Sequence, residues 1–385
     1  MRAKVLHVNG SNVVTIPPTM GQPKAGQFIG GPEEQLTEVA CRICYDSMGL
    51  PKSRNSEDLH FHIQDAPNLS VYEHVNVTLK FPAETDREAT LILLASFGRK
   101  GVSGRRTSDG VYITANLRAV LEWDKISLKN QSITAMVGAV KTTRIGNSFK
   151  AEFKRRMPLA LSRLEPGEIH YYESPGARVW NDSERFISVW LYGSRGFTHE
   201  MVRHRFAMSQ RSTRFVDELP PGWYDEEGGK GWEDFNPEFN SEIKCEGEFI
   251  VHPLTKKFIK DDKVSIDKKE EFFDRWMALK KVSRGMYKFL VENLQEYVGG
   301  DSTNARKQGR GAARLVLPNA LASEMVYTAS VEDWHWILSQ RAVTLADAEI
   351  RQVIIDALQE MYPLNQEYLM SDAPDGLGYV AERMI

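Results

Sequence analysis

Cysteine is scarce in this chain of 385 residues: three, at positions 41, 44 and 245. Three cannot build a disulfide framework. Cys41 and Cys44 stand as C-x-x-C, but no second ligand pair accompanies them, so no metal site is expected. They fall inside EEQLTEVACRICYDSMG, an amphipathic helical pattern, and read as buried helix cysteines. Long apolar runs are also missing. No stretch approaches the ~18 apolar residues that span a bilayer, and MRAKVLHVNGSNVV lacks the apolar core of a secretion signal. Nor is one sign of charge in excess: 49 Lys and Arg face 52 Asp and Glu, a formal net charge of -3. A general polyanion binder would be strongly basic. The expectation is a cytoplasmic protein of a reducing compartment with no membrane and no nucleic-acid partner, in which any anion site is local.

What is present is enough apolar content for a core, 42%, in a mixed pattern. A Gly/Pro-rich N-terminal segment precedes a helix at about 33–47. VYEHVNVTLKF (71–81) alternates with period two and predicts a strand. TANLRAVLEWDKIS predicts a helix, and the basic patch KTTRIGNSFKAEFKRRM follows it. RFISVWLYG (185–193) predicts a strand, with a helix from about Thr198. Residues 216–265 read as loop. A long helix at about 266–298 carries Phe272, Trp276, Leu279, Met286, Leu290 and Leu294 on one side and ends at Gly299-Gly300. A further helix is expected from Arg310 through ARLVLPNALASEMVYTAS, kinked at Pro318. The last, at 349–362, turns Ile350, Ile354, Ala357 and Met361 inward and stops at Pro363. There is no fixed-period repeat.

One stretch concentrates charge. THEMVRHRFAMSQRSTRF (198–215) holds four arginines and two histidines. In a helix Glu200 and His204 lie one turn apart, as do His199 and Arg203. In an extended loop Ser212 and Arg214 would point the same way, a hydroxyl and a guanidinium suited to phosphate. A solvated basic face paired with the acidic loop at 217–235 is the plainer alternative. A nucleic-acid contact lacks an aromatic stacking platform.

VRHRFAMSQRSTRF resembles the R-H-R … S-x-R-[YF] signature of the flavin-dependent thymidylate synthases, the ThyX family. Three more segments resemble that family in its order. EEQLTEVACRICYDS is similar to its first helix, and LSVYEHVNVTLKF to its S-V-x-E-H-x-x-F-T-F strand. ARLVLPNALASEMVYTAS with ILSQRAVTLADAEIRQV is similar to its A-R-x-V-L-P segment and E-I-R helix. The resemblance implies an α+β fold, an antiparallel sheet packed with long helices, interrupted by an inserted subdomain. The division would be an N-terminal extension (1–32), a discontinuous core (33–83 and 184–365), an insertion (84–183) and a C-terminal tail (366–385).

The resemblance further implies methylation of a uracil nucleotide at C5. 5,10-Methylenetetrahydrofolate would supply the carbon, reduced FAD the hydride and NADPH the flavin's electrons, in a homotetramer with shared active sites. Ser70, Glu73, Arg203, His204 and Arg205 would line the flavin site. Glu200, Arg203, Gln210, Arg211, Ser212 and Arg214 would meet the nucleotide, with Arg314 on its phosphate. Arg341 would be catalytic, its guanidinium set against the pyrimidine. The chain also departs from the pattern. The loop after R-H-R is one residue short, Glu200 replaces a glutamine, Asn68 a histidine, and Leu345 another histidine. At the C-terminal flavin segment Ser330, Glu332 and Trp336 replace the family's Asn, Arg and Asn/His. TANLRAVLEW, inside the insertion, is similar to that missing T-x-N-x-R segment, so Asn116 and Arg118 are expected to take over the flavin contacts beside Ser330. The alternative for this segment is an ordinary helix N-terminus. Glu200 could accept a ribose 2′-hydroxyl, which would suit the branch that methylates UMP in nucleoside-antibiotic pathways (the PolB type). A non-catalytic nucleotide- or flavin-binding homologue is the remaining alternative.

Overall fold

The structure, a computed structural model, describes residues 2–8, 13–65, 69–81, 86, 90, 93, 101–108, 110–119, 170–171, 183–218 and 249–364. The basic patch at 141–157, Cys245, Asn68, the acidic loop from 219 and the tail at 366–385 lie outside the described residues.

FISVWLYGS and ASEMVYTAS alternate side chains across a sheet, as period two requires. They form strands β6 (Phe186–Ser194) and β8 (Ala322–Ser330), paired antiparallel over their full lengths. β1 (Ala3–Val8) adds to the far side of β6, and β7 (Ala207–Gln210) to the far side of β8, giving the order β1-β6-β8-β7. One face of this sheet carries Ile187, Val189, Leu191, Met325, Tyr327 and Ala329 against two helices. These are α7 (Val331–Arg341) and α8 (Ala348–Leu364), the latter presenting Ile350, Val353, Ile354, Ala357 and Met361 at helical spacing. The other face carries Trp190, Tyr192 and Val326 against α1 (Pro32–Tyr45). α2 (Ser56–Asp65) completes that layer.

A second antiparallel sheet has the order β3-β4-β2-β5, from β2 (Asn76–Phe81), β3 (Val102–Thr107), β4 (Gly110–Asn116) and β5 (His170–Tyr171). Val111, Ile113 and Ala115 of β4 join the same core as Trp190. β2 thus pairs with strands from 84–183, and β6 with β1 and β8. Among the described residues the segments flanking the expected insertion do not pair with each other. Arg105 grips Glu184 in two hydrogen bonds and fastens β3 to the start of β6.

The helical layer continues with α3 (Arg195–Met201), α4 (Pro253–Lys260), α5 (Ile266–Tyr297) and α6 (Thr303–Ala313). α5 and α6 form an antiparallel pair around Tyr287, Val291 and Ala313, joined through Gly299 and Gly300 at φ 122° and 75°. The mixed helices and antiparallel sheets make the protein α+β, as expected.

Several local expectations are corrected. Leu69–His74 is a 3-10 helix, and the strand starts only at Asn76. His74 is drawn inward, where both its ring nitrogens find hydroxyl partners. Thr114–Asn116 is strand, because two neighbours supply its backbone partners; Leu117–Ala119 is helical, and Asn116 Oδ1 caps that turn by accepting from Ala119 N, while 120–127 of the expected helix lie outside the described residues. Ala322–Ser330 is the central strand β8, where a ladder on each side outweighs helical periodicity. The charged stretch is not helical to Phe206: α3 ends at Met201, a 3-10 turn covers Val202–His204, and Ala207 starts β7. Within the expected loop at 216–265, Pro253–Lys260 is helical. α8 runs through Pro363 to Leu364. On α5, Leu279 and Met286 are exposed, whereas Ser283, Tyr287 and Val291 are buried.

Candidate active site

α3 starts at Ser194, whose Oγ accepts from Phe197 N and caps the helix. Glu349 of α8 fixes this start, accepting from Ser194 N at 2.8 Å and Ser194 Oγ at 2.6 Å. Helix α8 therefore sets where the arginine- and histidine-bearing turn sits. After His204 the chain reverses through Arg205, a non-glycine residue at φ 63°. That conformation costs ~1–3 kcal/mol and is characteristic of functional sites.

The reversal sends neighbouring side chains to different places. On one side lies Arg341, at the end of α7. Its Nη1 donates to Glu200 Oε2 at 3.1 Å and its Nε to His204 Nε2 at 3.1 Å. Burial, and then the Arg341 charge, lower the His204 pKa, so the imidazole stays neutral and can accept. Among the described residues His204 Nδ1 has no hydrogen-bond partner. The Trp336 ring stands edge-on to His204 at 5.1 Å. Arg203 is exposed.

On the other side Arg205 lines a cleft of about 350 Å³ at the junction of the two sheets. Glu73 and Asn76 form one wall, Gly101, Val102, Ser103, Thr114 and Asn116 a second, and Phe206, Ala207, Thr328 and Ser330 a third, with Glu332 and Asp333 at the rim. Gly101 has φ 72°, a backbone conformation that favours glycine, and a Cβ there would press on the Asn116 amide. Arg118 is exposed in part and donates to Glu73 Oε1 at 2.5 Å. Ser330 caps α7: its Oγ accepts from Asp333 N and donates to Asp333 Oδ2. Of the residues expected at the flavin, Glu73, Asn116, Arg205 and Ser330 meet in this cleft, with Arg118 adjoining Glu73. His204 joins Arg341 instead, and Ser70 lies on the 3-10 helix behind Glu73.

The residues expected at the nucleotide divide again. Gln210 is spent internally, its Nε2 donating to Thr198 Oγ1 and Ser323 Oγ. Arg211 is 3% exposed and faces three carboxylates: Asp46 at 2.9 Å, Glu218 at 3.7 Å and Glu324 at 3.7 Å. Burial raises the Glu324 pKa against the opposing pull of Arg211. Ser212 and Arg214 lie in a turn, not an extended loop, and Ser212 Oγ accepts from Arg214 N. Arg214 and Arg314 are exposed. Arg214 lies alongside Gly311 in the last turn of α6, and Arg314 follows at the start of the next 3-10 turn. Among the described residues the alternative of a solvated basic face paired with the acidic loop is met only by the buried Arg211, at Glu218 in the loop's described beginning; Asp217 is taken by Arg310 of α6, outside the charged stretch, at 2.9 Å.

Sequence reasoning missed Arg195. It is half-buried, and its pKa is lowered by burial and by the Arg314 charge against the pull of Glu218. A third arginine therefore stands close to Arg314. Its signal was the spacing Arg195, His199, Arg203, one helix face. Also missed were the glycine contact at Gly101 and the hydroxyls of Thr328 and Ser209 around His74, which no local pattern announces. Of the C-x-x-C cysteines on α1, Cys41 is buried as expected and Cys44 is half-buried, its thiol still pushed up to about 12 by desolvation. Among the described residues no cluster could hold a metal ion, and no helix is long and apolar enough to cross a membrane.

Residues 188–364 match the family model described as thymidylate synthase complementing protein. A flavin-dependent thymidylate synthase of Mycolicibacterium gilvum is 32% identical over 179 residues, covering 46% of this chain and 57% of the relative. That of Corynebacterium glutamicum is 32% identical over 172 residues, covering 44% and 54%. The chain thus spans little more than half the length of these curated relatives. A crystal structure of the UMP/dUMP methylase PolB from Streptomyces cacaoi bound with 5-Br dUMP aligns over 48% of this chain and 67% of that one, at 15% identity and a TM-score of 0.30. The resemblance read from the motifs is borne out over β6 to α8: residues 188–364 are similar to the flavin-dependent thymidylate synthases.

Proposed function

We propose that the protein is a flavin-dependent methylase acting at C5 of a uracil nucleotide, dUMP or UMP. Methylenetetrahydrofolate is its carbon donor, reduced FAD its hydride donor and NADPH its reductant. One observation carries this reading. Two consecutive residues, His204 and Arg205, enter the Arg341 cluster and the sheet-junction cleft respectively. Their Cα atoms are ~3.8 Å apart, so one tight turn joins the nucleotide side to the flavin side, and hydride transfer would need the two rings to meet across it.

The cleft residues fit a flavin in kind. Phe186, Phe206, Val102 and Ala329 offer apolar contact to a planar ring, while Asn116 and Arg205 offer hydrogen bonds to its carbonyls; the Thr328 and Ser330 hydroxyls are already bonded, to His74 and Ser188 and to Asp333 respectively. When bound, the flavin supplies the hydride. Arg341 does the electrostatic work at the nucleotide. A fixed guanidinium beside charge that develops on the pyrimidine acts like an oxyanion-hole donor, worth ~3–4 kcal/mol. Arginine keeps its charge when partly buried, which lysine would not. Arg314, Arg214 and Arg195 form the cationic surface available to the phosphate. Assembly into a homotetramer is supported by α5, which exposes Leu279, Val282, Met286 and Phe289 along one face.

The choice between dUMP and UMP turns on Glu200. Oε2 is tied to Arg341 and Oε1 has no bond to any described residue, so Oε1 can accept a ligand hydroxyl. A ribose 2′-hydroxyl would use it; deoxyribose offers none. The test is the purified protein itself. It should carry flavin absorbance and transfer a labelled methylene carbon from methylenetetrahydrofolate to a uracil nucleotide. Arg341→Ala should slow that transfer ~100–1,000-fold. A colourless protein that methylates neither dUMP nor UMP overturns the reading. Rates with the two nucleotides side by side decide the substrate.

A further inference from the structure

The proposed chemistry leaves Trp336 without a task. Its helix neighbours Trp334, Ile337 and Leu338 are fully buried, so the phase of α7 puts Trp336 on the outer face, 50% exposed. An indole is costly to leave half in water, and this one is placed against a functional group, edge-on to His204. His204 in turn accepts from Arg341, whose other anchor is Glu200. Arginine has five N–H groups. Two are committed here, leaving three that no described residue takes. The charges of Arg341 and Glu200 cancel and His204 is neutral. A phosphate would gain little here, because it would meet the Glu200 carboxylate. A flat ring carrying carbonyl oxygens would gain a stacking surface and donors together.

We infer that Trp336 is the stacking platform for a planar carbonyl-bearing nitrogen heterocycle whose oxygens take hydrogen bonds from Arg341. The proposed function names three such rings, the pyrimidine of the nucleotide, the pterin of the folate and the flavin. Only that choice rests on the proposed function; the platform rests on the geometry.

The experiment is calorimetric titration of the full chain with dUMP, methylenetetrahydrofolate and riboflavin, in the native protein, Trp336→Ala and Trp336→Phe. Deoxyribose 5-phosphate, which lacks a ring, is the control, and thermal melts verify folding. Trp336→Ala should weaken one ring ligand about 10-fold, Trp336→Phe should restore most of the loss, and the sugar phosphate should bind alike to all three. Which ligand loses affinity identifies the ring. Unchanged affinity for every ring ligand, or a loss that Phe does not restore, overturns the inference. So does a change in sedimentation alone, which would make Trp336 an assembly contact. Trp336-dependent binding without methylation of either nucleotide would uphold the platform and sink the proposed reaction.

Discussion

Two polar regions of this molecule lie within a few residues of each other in sequence and behave in opposite ways. Beneath β8 the polar groups are sealed. His74 bonds Thr328 Oγ1 at 2.8 Å and Ser209 Oγ at 3.0 Å, Ser188 bonds Thr328 at 2.7 Å, Trp190 donates to Glu324, and Arg211 faces three carboxylates. At the end of α7, the end of β4 and the turn before β7 the groups are open. Arg341 keeps three uncommitted N–H groups, and Asn116 and Arg205 face a cleft. Arg211 and Arg205 stand six positions apart in one charged stretch. The first is a structural cation and the second lines a candidate site. What separates them is whether counter-charges from distant segments, Asp46 and Glu324, arrive to close the shell.

The sharpest way to break this contrast is to open the sealed region. Arg211→Met would strand Asp46, Glu218 and Glu324 without their cation, and removing one partner of a buried ion pair costs ~3–5 kcal/mol. Chemical denaturation should show that loss. A variant as stable as the native protein, but with weakened nucleotide binding, would move Arg211 back among the ligands.

An effect that is smaller per pH unit should come from acidification. Burial pushes the His74 pKa down from 6.5 to about 3. The unfolded chain therefore binds a proton near pH 6.5 that the folded chain refuses until about pH 3. The stability contributed by neutral His74 is fully present above pH 6.5 and declines as pH falls through that window, at up to ~1.4 kcal/mol per pH unit. His74→Gln should flatten the dependence of unfolding free energy on pH between 6.5 and 4. An unaltered slope would mean that another group governs it; His60, lowered to about 4 by burial, is the next in line.

The smallest effect should be found on the open side. Asn116→Ala and Arg118→Ala should each weaken flavin binding about tenfold, the worth of one hydrogen bond to a polar or charged group, while the lost cap of Asn116→Ala lowers stability by only ~0.5–2 kcal/mol. Flavin affinity measured by fluorescence quenching decides it. Unchanged affinity would remove the insertion from the cofactor site.

Much of the fold was legible because it depends on local periodicity. The inward residues of α8, the strand β6, the helix α1 and the Gly299-Gly300 end of the α5 region all follow from spacing. Elements that depend on partners were not legible. Ala322–Ser330 carries helix-compatible residues yet is a strand, since β6 and β7 supply its backbone partners. Thr114–Asn116 became strand for the same reason, although Asn116 still caps a helical turn as the plainer reading held. The site was legible as a set of residue types. Glu73, Asn116, Arg205 and Ser330 do meet, but the division of His204 from Arg205 depends on one left-handed residue that no motif encodes.

The sequence by itself determined the near-neutral balance that leaves only local anion sites, the apolar stripes that build the two faces of the core, and the signature residues similar to one family. Tertiary structure alone decided which of the many arginines are spent. A guanidinium is neutralised by whatever carboxylate the fold brings within a few ångströms, and those carboxylates lie scores of residues away: Asp46 and Glu324 for Arg211, Glu200 for Arg341. Coulombic pairing over that range is a property of space, not of sequence separation.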